Sequence, residues 1–361
     1  MTKLLFLMPF FGGGGSQRTY VNLIKFLAKT NRYQLHVFVL RKEGSYKFDL
    51  PENIIIHTLQ NGHQTRNAIT QLPRIVKEVK PEVIISSLFS MNFLAFIIKI
   101  TLGSGSPKII MRQAENVVRN GKLSKLNKIK LKTVFTKADK IISLSQGVKN
   151  EMIKELNINS NNIHVVQNPV DINKILENKR TKESDKYFHI AWIGRLSFEK
   201  NLGELIEASK LLSFPFKCHI MGEGDLLKTY TEGPDKEFIK EHFIFHGFVK
   251  NPYEILMNTN TFILTSIWEG LGHVLLEAML CRIPVISSNC NYGPIELINN
   301  GQNGLLYNLG SPQDLANKIT DIRNDDEKAK QLAEKAYHFV LKNFNLEVIG
   351  QQYESVIKEL T

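Results

Sequence analysis

Cysteine is scarce in this chain of 361 residues, with Cys218, Cys281 and Cys290 as its three examples. Odd in number and widely spaced, they imply neither a disulfide framework nor a zinc site. Long apolar runs are missing too. The first, within MTKLLFLMPFFGGGG, ends in glycines after about nine residues and lacks a small-residue cleavage site. The stretch from Phe93 to Leu102 is short and carries Lys99, so no segment spans a bilayer and a cytoplasmic protein is expected. The histidines His219, His242, His246 and His273 lack metal-ligand spacing, and no cofactor or metal is expected. A dinucleotide fingerprint fails as well. Begun at Gly12 or Gly13, its third glycine position falls on Gln17 or Arg18. No nucleic-acid signature occurs, and the basic residues are not interleaved with stacking aromatics, so nucleic acid is not an expected partner.

Basic residues outnumber acidic ones by 46 to 35, a formal charge of +11 that calls for an anionic partner or surface. The densest basic segment runs from Arg119 to Lys140, where Asp139 is the one acid. Leu123, Leu126, Ile129, Val134 and Phe135 recur there at roughly helical spacing. Two readings stay open: a basic amphipathic helix at an anionic membrane surface, and a solvated lysine face over a core stripe.

Apolar content of 43% and charged content of 22% suit a globular protein, and the length suits two domains. Short apolar strands at 3–8, 34–40, 54–59, 83–87, 108–111 and 140–144 alternate with helical stretches at 67–79, 91–100 and 145–155. That alternation predicts a parallel sheet with helices on both faces. Residues 1–170 form the expected first domain and the polar stretch 171–186 a linker. The pattern restarts at Phe188–Ile193 and defines a second domain over 187–343, followed by an amphipathic terminal helix within 344–361.

Thr261–Asn289 reads as strand, glycine loop, helix and strand. Gly270, Leu271, Gly272 and His273 lie at the strand-to-helix turn, where backbone N–H groups and a helix N-terminus favour an anion. Glu269 in the loop and Glu277 in the helix could accept hydrogen bonds from the hydroxyls of the same ligand, which suggests a sugar phosphate. Without their flanks, these residues fit an ordinary tight turn beside two solvated acids equally well.

The string Glu269-x7-Glu277 with Gly270, the following Glu-Ala-Met, a Pro-Val-Ile strand and Gly293-Pro294-x-Glu296 resembles glycosyltransferase family 4. The resemblance implies a retaining enzyme of GT-B fold, an α/β architecture of two doubly wound, Rossmann-like domains facing a cleft. It assigns the ribose to Glu277, the donor sugar to Glu269, the diphosphate to Arg195 and Lys200, and backbone donors to Gly270–His273. Gly14 and Gly15 would border the donor phosphates. Gly222 lies in another strand-end loop of the donor side, and Phe248 and Val249 would meet the nucleobase. Ser16, Gln17, Arg18, Arg112, Glu115 and Asn116 are the expected acceptor-side residues. Two departures matter: Gln17 stands where relatives carry an acid, and 111–116 lacks their frequent histidine. No Asp-x-Asp occurs to hold a diphosphate through a metal, so cationic side chains and a helix terminus take that part. The terminal helix is expected to cross back onto the first domain. The implied partners are a nucleotide-diphosphate sugar, a UDP-sugar before a GDP-sugar, and a glycan or polyprenyl-linked oligosaccharide of a bacterial surface glycan. A peripheral position on the inner face of the membrane fits the basic first domain. An epimerase or hydrolase of the same fold, and a catalytically silent binding protein, are the alternatives.

Overall fold

The computed structural model describes residues 1–12, 15–43, 50–62, 64–114, 116–118, 123–178, 181 and 185–361, with Gly15 and Ser16 described by their backbone alone. Two compact units result: Met1–Pro169 with Leu346–Thr361, and Val170–Asn345.

In the first unit the strands are β1 (Thr2–Met8), β2 (Tyr33–Val39), β3 (Ile55–Thr58), β4 (Val83–Ser87), β5 (Lys108–Gln113), β6 (Lys140–Ser143) and β7 (Ile163–Val165). Among the described residues they form one sheet in the order β3-β2-β1-β4-β5-β6-β7, and every pair is parallel. Its central strands are apolar on both faces because helices cover both. Leu4 and Phe6 of β1 face Ile24, Tyr353 and Ile357, whereas Leu5 and Leu7 face Leu72, Leu94 and Ile98.

The helix Leu346–Lys358 packs on the helix Gly15–Lys29 of this unit. Gly350 permits the close approach, since a Cβ there would lie 2.4 Å from the Phe26 ring. Glu354 then fixes the angle, accepting from Arg32 Nη1 at 2.8 Å and Tyr33 Oη at 3.0 Å.

The second unit contains β8 (Phe188–Ile193), β9 (Phe216–Met221), β10 (Phe243–Phe245), β11 (Thr261–Leu264), β12 (Val285–Ser288) and β13 (Leu305–Tyr307). They too are all parallel, in the order β10-β9-β8-β11-β12-β13. Both sheets therefore reverse their strand order once, at β1/β4 and at β8/β11. Sheets of this kind bind ligands outside the carboxyl ends of the strands at such a reversal.

Within 171–186, read from the sequence as linker, Ile172–Leu176 is helical. Asp171 caps it by accepting from Lys174 N at 3.3 Å, and Ile175 is buried. Among the described residues of the basic segment, a helix runs over Lys125–Phe135, capped by Ser124. Among the described residues no helix is long and apolar enough to cross a membrane.

Candidate active site

At the strand reversal of the second unit, β8 and β11 end side by side and release the loops that carry Arg195, Lys200 and Glu269. These loops are bound to each other. Thr265 Oγ1 donates to the Lys200 carbonyl at 2.7 Å and accepts from Trp192 Nε1 at 3.0 Å, while Ile267 N donates to the Glu199 carbonyl at 2.8 Å. The Lys200 ammonium is paired with Glu269 Oε1, which also accepts from Ser266 Oγ at 2.7 Å. Ser266 is held in turn by Ser288 Oγ, 2.6 Å from its carbonyl. Arg195 is exposed and, among the described residues, has no ion-pair partner.

The loops after β8 and β9 approach so closely that glycine is required. Gly222 has φ +141°, and a Cβ there would lie 1.9 Å from the Gly194 carbonyl oxygen. Gly194 N donates to Met221 O at 3.1 Å, Leu196 N to Glu223 O at 2.9 Å, and Gly222 N to Gly247 O at 2.8 Å. Arg195 thus projects from backbone held on both sides. Behind it, Asn201 takes the left-handed conformation and donates to Glu204 Oε2 at 2.7 Å. Glu204 is buried, also accepts from Tyr307 Oη and Gly310 N, and is pushed up by burial. Glu199 shifts the other way: burial acts to raise it, but the Ser197 hydroxyl, backbone donation and the charges of Lys200 and Arg195 together hold it lower.

Gly272, at φ +84°, caps the helix His273–Leu280. The first turn of that helix offers N–H groups and the positive end of its dipole. Glu277 is 7% exposed and accepts from Tyr253 Oη at 3.1 Å, with His273 Nε2 at 3.7 Å. The Glu269–Leu271 loop is backed by Gly293, whose left-handed φ of +67° brings it against Leu271.

Phe248 and Val249 follow β10. Phe248 is 77% exposed, and its N–H donates to Glu223 Oε1 at 3.3 Å. Alongside, three imidazoles bond in series: His189 Nδ1 lies 2.9 Å from His219 Nε2, and His219 Nδ1 lies 3.0 Å from His246 Nε2. Asp185 accepts from His189 Nε2 at 3.0 Å.

The residues expected on the acceptor side belong to the first unit. Gly14 and Glu115 lie outside the described residues. Gln17 is buried and Arg18 half-buried on the helix Gly15–Lys29. Arg112 is buried, donating from Nη1 to Ser87 Oγ at 2.9 Å and from Nη2 to Asn168 Oδ1. Through Nη1 and Nη2 it joins β5 to β4 and to the 168 turn. Asn116 is buried as well, and a pocket of about 260 Å³ opens among Leu88, Phe89, Arg112, Asn116, Leu123 and Lys130. Lys130 Nζ sits 4.4 Å over the Phe89 ring. Among the described residues, no group of three or more His, Cys, Asp or Glu side chains could hold a metal ion.

Residues 13–174 match the family described as Glycosyltransferase Family 4, and residues 173–339 match Glycosyl transferases group 1. The chain belongs to the glycosyltransferases of this group 1/family 4 type. One relative of this glycosyltransferase is the N-acetylgalactosamine-N,N'-diacetylbacillosaminyl-diphospho-undecaprenol 4-alpha-N-acetylgalactosaminyltransferase of Campylobacter jejuni, 24% identical over 93% of this chain and 94% of that enzyme. Another is the lipopolysaccharide 1,6-galactosyltransferase of Salmonella typhimurium, 31% identical over 58% of this chain and 61% of the enzyme, so that the matched region is about three fifths of that relative's length. The solved structure of HepE from Anabaena in complex with UDP-glucose has a TM-score of 0.81 at 20% identity, covering 99% of this chain and 100% of that one. The apo structure of the lipopolysaccharide outer core galactosyltransferase WaaB gives 0.78 at 22% identity, covering 100% of both chains. The fold of this glycosyltransferase is GT-B, with two Rossmann-like parallel-sheet domains.

Thr265, Ser266 and Glu204 were not singled out as site residues by sequence reasoning, although each holds a neighbouring group in place. Hydroxyl residues closing an apolar strand, as in Phe-Ile-Leu-Thr-Ser, were the available signal for the first two.

Proposed function

We propose that this glycosyltransferase is a retaining, metal-independent enzyme that moves a hexosyl or N-acetylhexosaminyl group from a UDP-sugar to a glycan or polyprenyl-linked oligosaccharide in bacterial surface polysaccharide assembly. The observation that carries the reading is the Lys200–Glu269 pair beside Arg195 at the β8/β11 reversal. Arg195, Lys200 and the N-terminus of the helix His273–Leu280 would neutralise a departing diphosphate. Glu269 would accept from hydroxyls of the transferred sugar and Glu277 from those of the ribose. The acceptor hydroxyl attacks C1 on the face that the diphosphate leaves; the C1–O bond to phosphate breaks and the hydroxyl proton passes to the phosphate oxygen. No enzymic nucleophile enters that sequence. The names of the Campylobacter and Salmonella relatives support a lipid-linked or lipopolysaccharide acceptor, and HepE supports UDP.

A peripheral membrane position belongs to the same proposal. On the helix Lys125–Phe135, Leu126 is 75% and Ile129 63% exposed between Lys125, Lys128, Lys130 and Lys132. Apolar side chains that enter the headgroup region, ringed by cations, suit an anionic bilayer.

The test is transfer from labelled UDP-hexoses and UDP-N-acetylhexosamines to polyprenyl-diphosphate glycans, with and without EDTA, and with the new anomeric centre assigned by NMR. An α-linked product from an α-donor, formed in EDTA, is expected. A β-linked product contradicts retention, and hydrolysis without transfer selects the hydrolase alternative.

A further inference from the structure

Two aromatic rings beside the candidate donor site have no part in the reading above. Phe198, on the loop after β8, is 64% exposed, and Trp268, immediately before Glu269, is partly exposed. Their centroids are 6.1 Å apart with the planes inclined by 50°. Neither ring belongs to the buried core of the second unit. The backbone beneath both is fixed: Asn201 N donates to Phe198 O at 3.2 Å, Lys200 N to Ser197 O at 3.1 Å, and Ile267 N to Glu199 O at 2.8 Å. The two rings therefore stand on the same pair of cross-linked loops that position Lys200 and Glu269.

An isolated exposed aromatic needs no explanation, but two neighbouring rings bordering a carboxylate and an ammonium form a mixed surface. Apolar faces beside hydrogen-bonding groups match one chemistry well. A pyranose has a C–H face that lies on aromatic carbon and an equatorial rim of hydroxyls that reaches acids and cations. A nucleobase would also stack, yet it has no hydroxyl rim for Glu269.

The geometry points to Phe198 and Trp268 as a carbohydrate platform that receives the C–H face of a pyranose whose hydroxyls reach Glu269. It deepens the reading of Arg195, Lys200 and Glu269 as a nucleotide-sugar site and rests on it. Two sources supply such a ring, the sugar of the donor and a sugar of the acceptor glycan.

The chain has two tryptophans, and Trp192 is 1% exposed, so acrylamide quenching of the intact protein reports on Trp268. The ligands are UDP alone, UDP-glucose, UDP-galactose and their N-acetylhexosamine counterparts, and then chitotriose, maltotriose and galactotriose with or without UDP. Trp268→Phe supplies the baseline. Protection by a UDP-sugar beyond that given by UDP assigns the donor sugar to the platform; protection by an oligosaccharide over UDP assigns the acceptor. Protection by an oligosaccharide with no UDP binding keeps the platform and removes the nucleotide-sugar reading. Thermal stabilisation by UDP with no protection from any sugar overturns the platform and leaves the nucleotide site standing. In turnover, Phe198→Ala and Trp268→Ala each raise the KM of the sugar-bearing partner by about threefold to tenfold. Inhibition by UDP stays unchanged, and Trp268→Phe restores the KM. An unchanged KM in both alanine variants overturns the proposal.

Discussion

Gly222→Ala tests how tightly the backbone around Arg195 is built. The new methyl group would start 1.9 Å from the Gly194 carbonyl oxygen and 2.9 Å from its carbon, so backbone and not a flexible side chain has to give way. Relief needs a displacement of about 1 Å in a close-packed region. Overpacking of this kind costs about 1–3 kcal/mol, and a non-glycine residue at φ +141° adds about 1–3 kcal/mol of strain. Urea unfolding should therefore show a loss of about 2–6 kcal/mol. The three backbone hydrogen bonds through Gly194, Leu196 and Gly222 converge on this contact, so Arg195 moves with it. Misplacement by about 1 Å lowers turnover about a hundredfold. Gly203→Ala is the matched control: it lies in the helix Leu202–Ser209, meets nothing within 4 Å, and should gain about 0.5–1 kcal/mol. If Gly222→Ala is as stable and as active as Gly203→Ala, the account of the strand-end loops is wrong.

Arg195→Ala and Lys200→Ala should each raise the barrier to turnover by about 2–4 kcal/mol, and near-normal kcat/KM in both removes the diphosphate assignment. Burial holds the His246 imidazole below 6.5, and the ladder through His219, His189 and Asp185 keeps it in place. The unfolded chain thus binds the proton more readily. The stability contributed is fully present above 6.5 and is lost as pH falls through 6.5 towards the lower folded value. Thermal midpoints recorded between about pH 8 and pH 5 should fall in the wild type and flatten in His246→Asn; parallel curves would discount the ladder. Leu126→Glu with Ile129→Glu should abolish cosedimentation with phosphatidylglycerol vesicles without affecting UDP binding, and equal cosedimentation would place membrane contact elsewhere.

Much of the architecture was legible because buried parallel strands leave a strong trace. β4 and β8 begin and end where the apolar runs 83–87 and 188–193 place them, since helices cover both faces of each sheet and force continuous apolar sequence. The αβ unit around Gly272 was equally plain, because a strand, two glycines and an apolar helix leave few alternatives. Short elements were less visible. The helix Ile172–Leu176 sits in a polar stretch and is held by one buried side chain and one cap, too little for any periodicity. Side-chain roles were the least legible. Arg112 is a cation at a strand's carboxyl end in sequence, yet the partners of its Nη1 and Nη2, Ser87 and Asn168, come from other parts of the chain. Tyr253 similarly reaches Glu277 across 24 residues, a pairing that no local pattern encodes.

The central claim is that Glu277, buried beneath the helix-terminus loop, holds the ribose of a nucleotide. Calorimetric titration of UDP into the wild type and Glu277→Gln tests it most directly, because the amide preserves shape and removes the charge. Charge-assisted hydrogen bonds are worth about 1.5–3 kcal/mol, so affinity should fall roughly tenfold to a hundredfold while the unfolding midpoint stays nearly constant. Equal affinity in the two proteins, or no binding of UDP to the wild type, would contradict it.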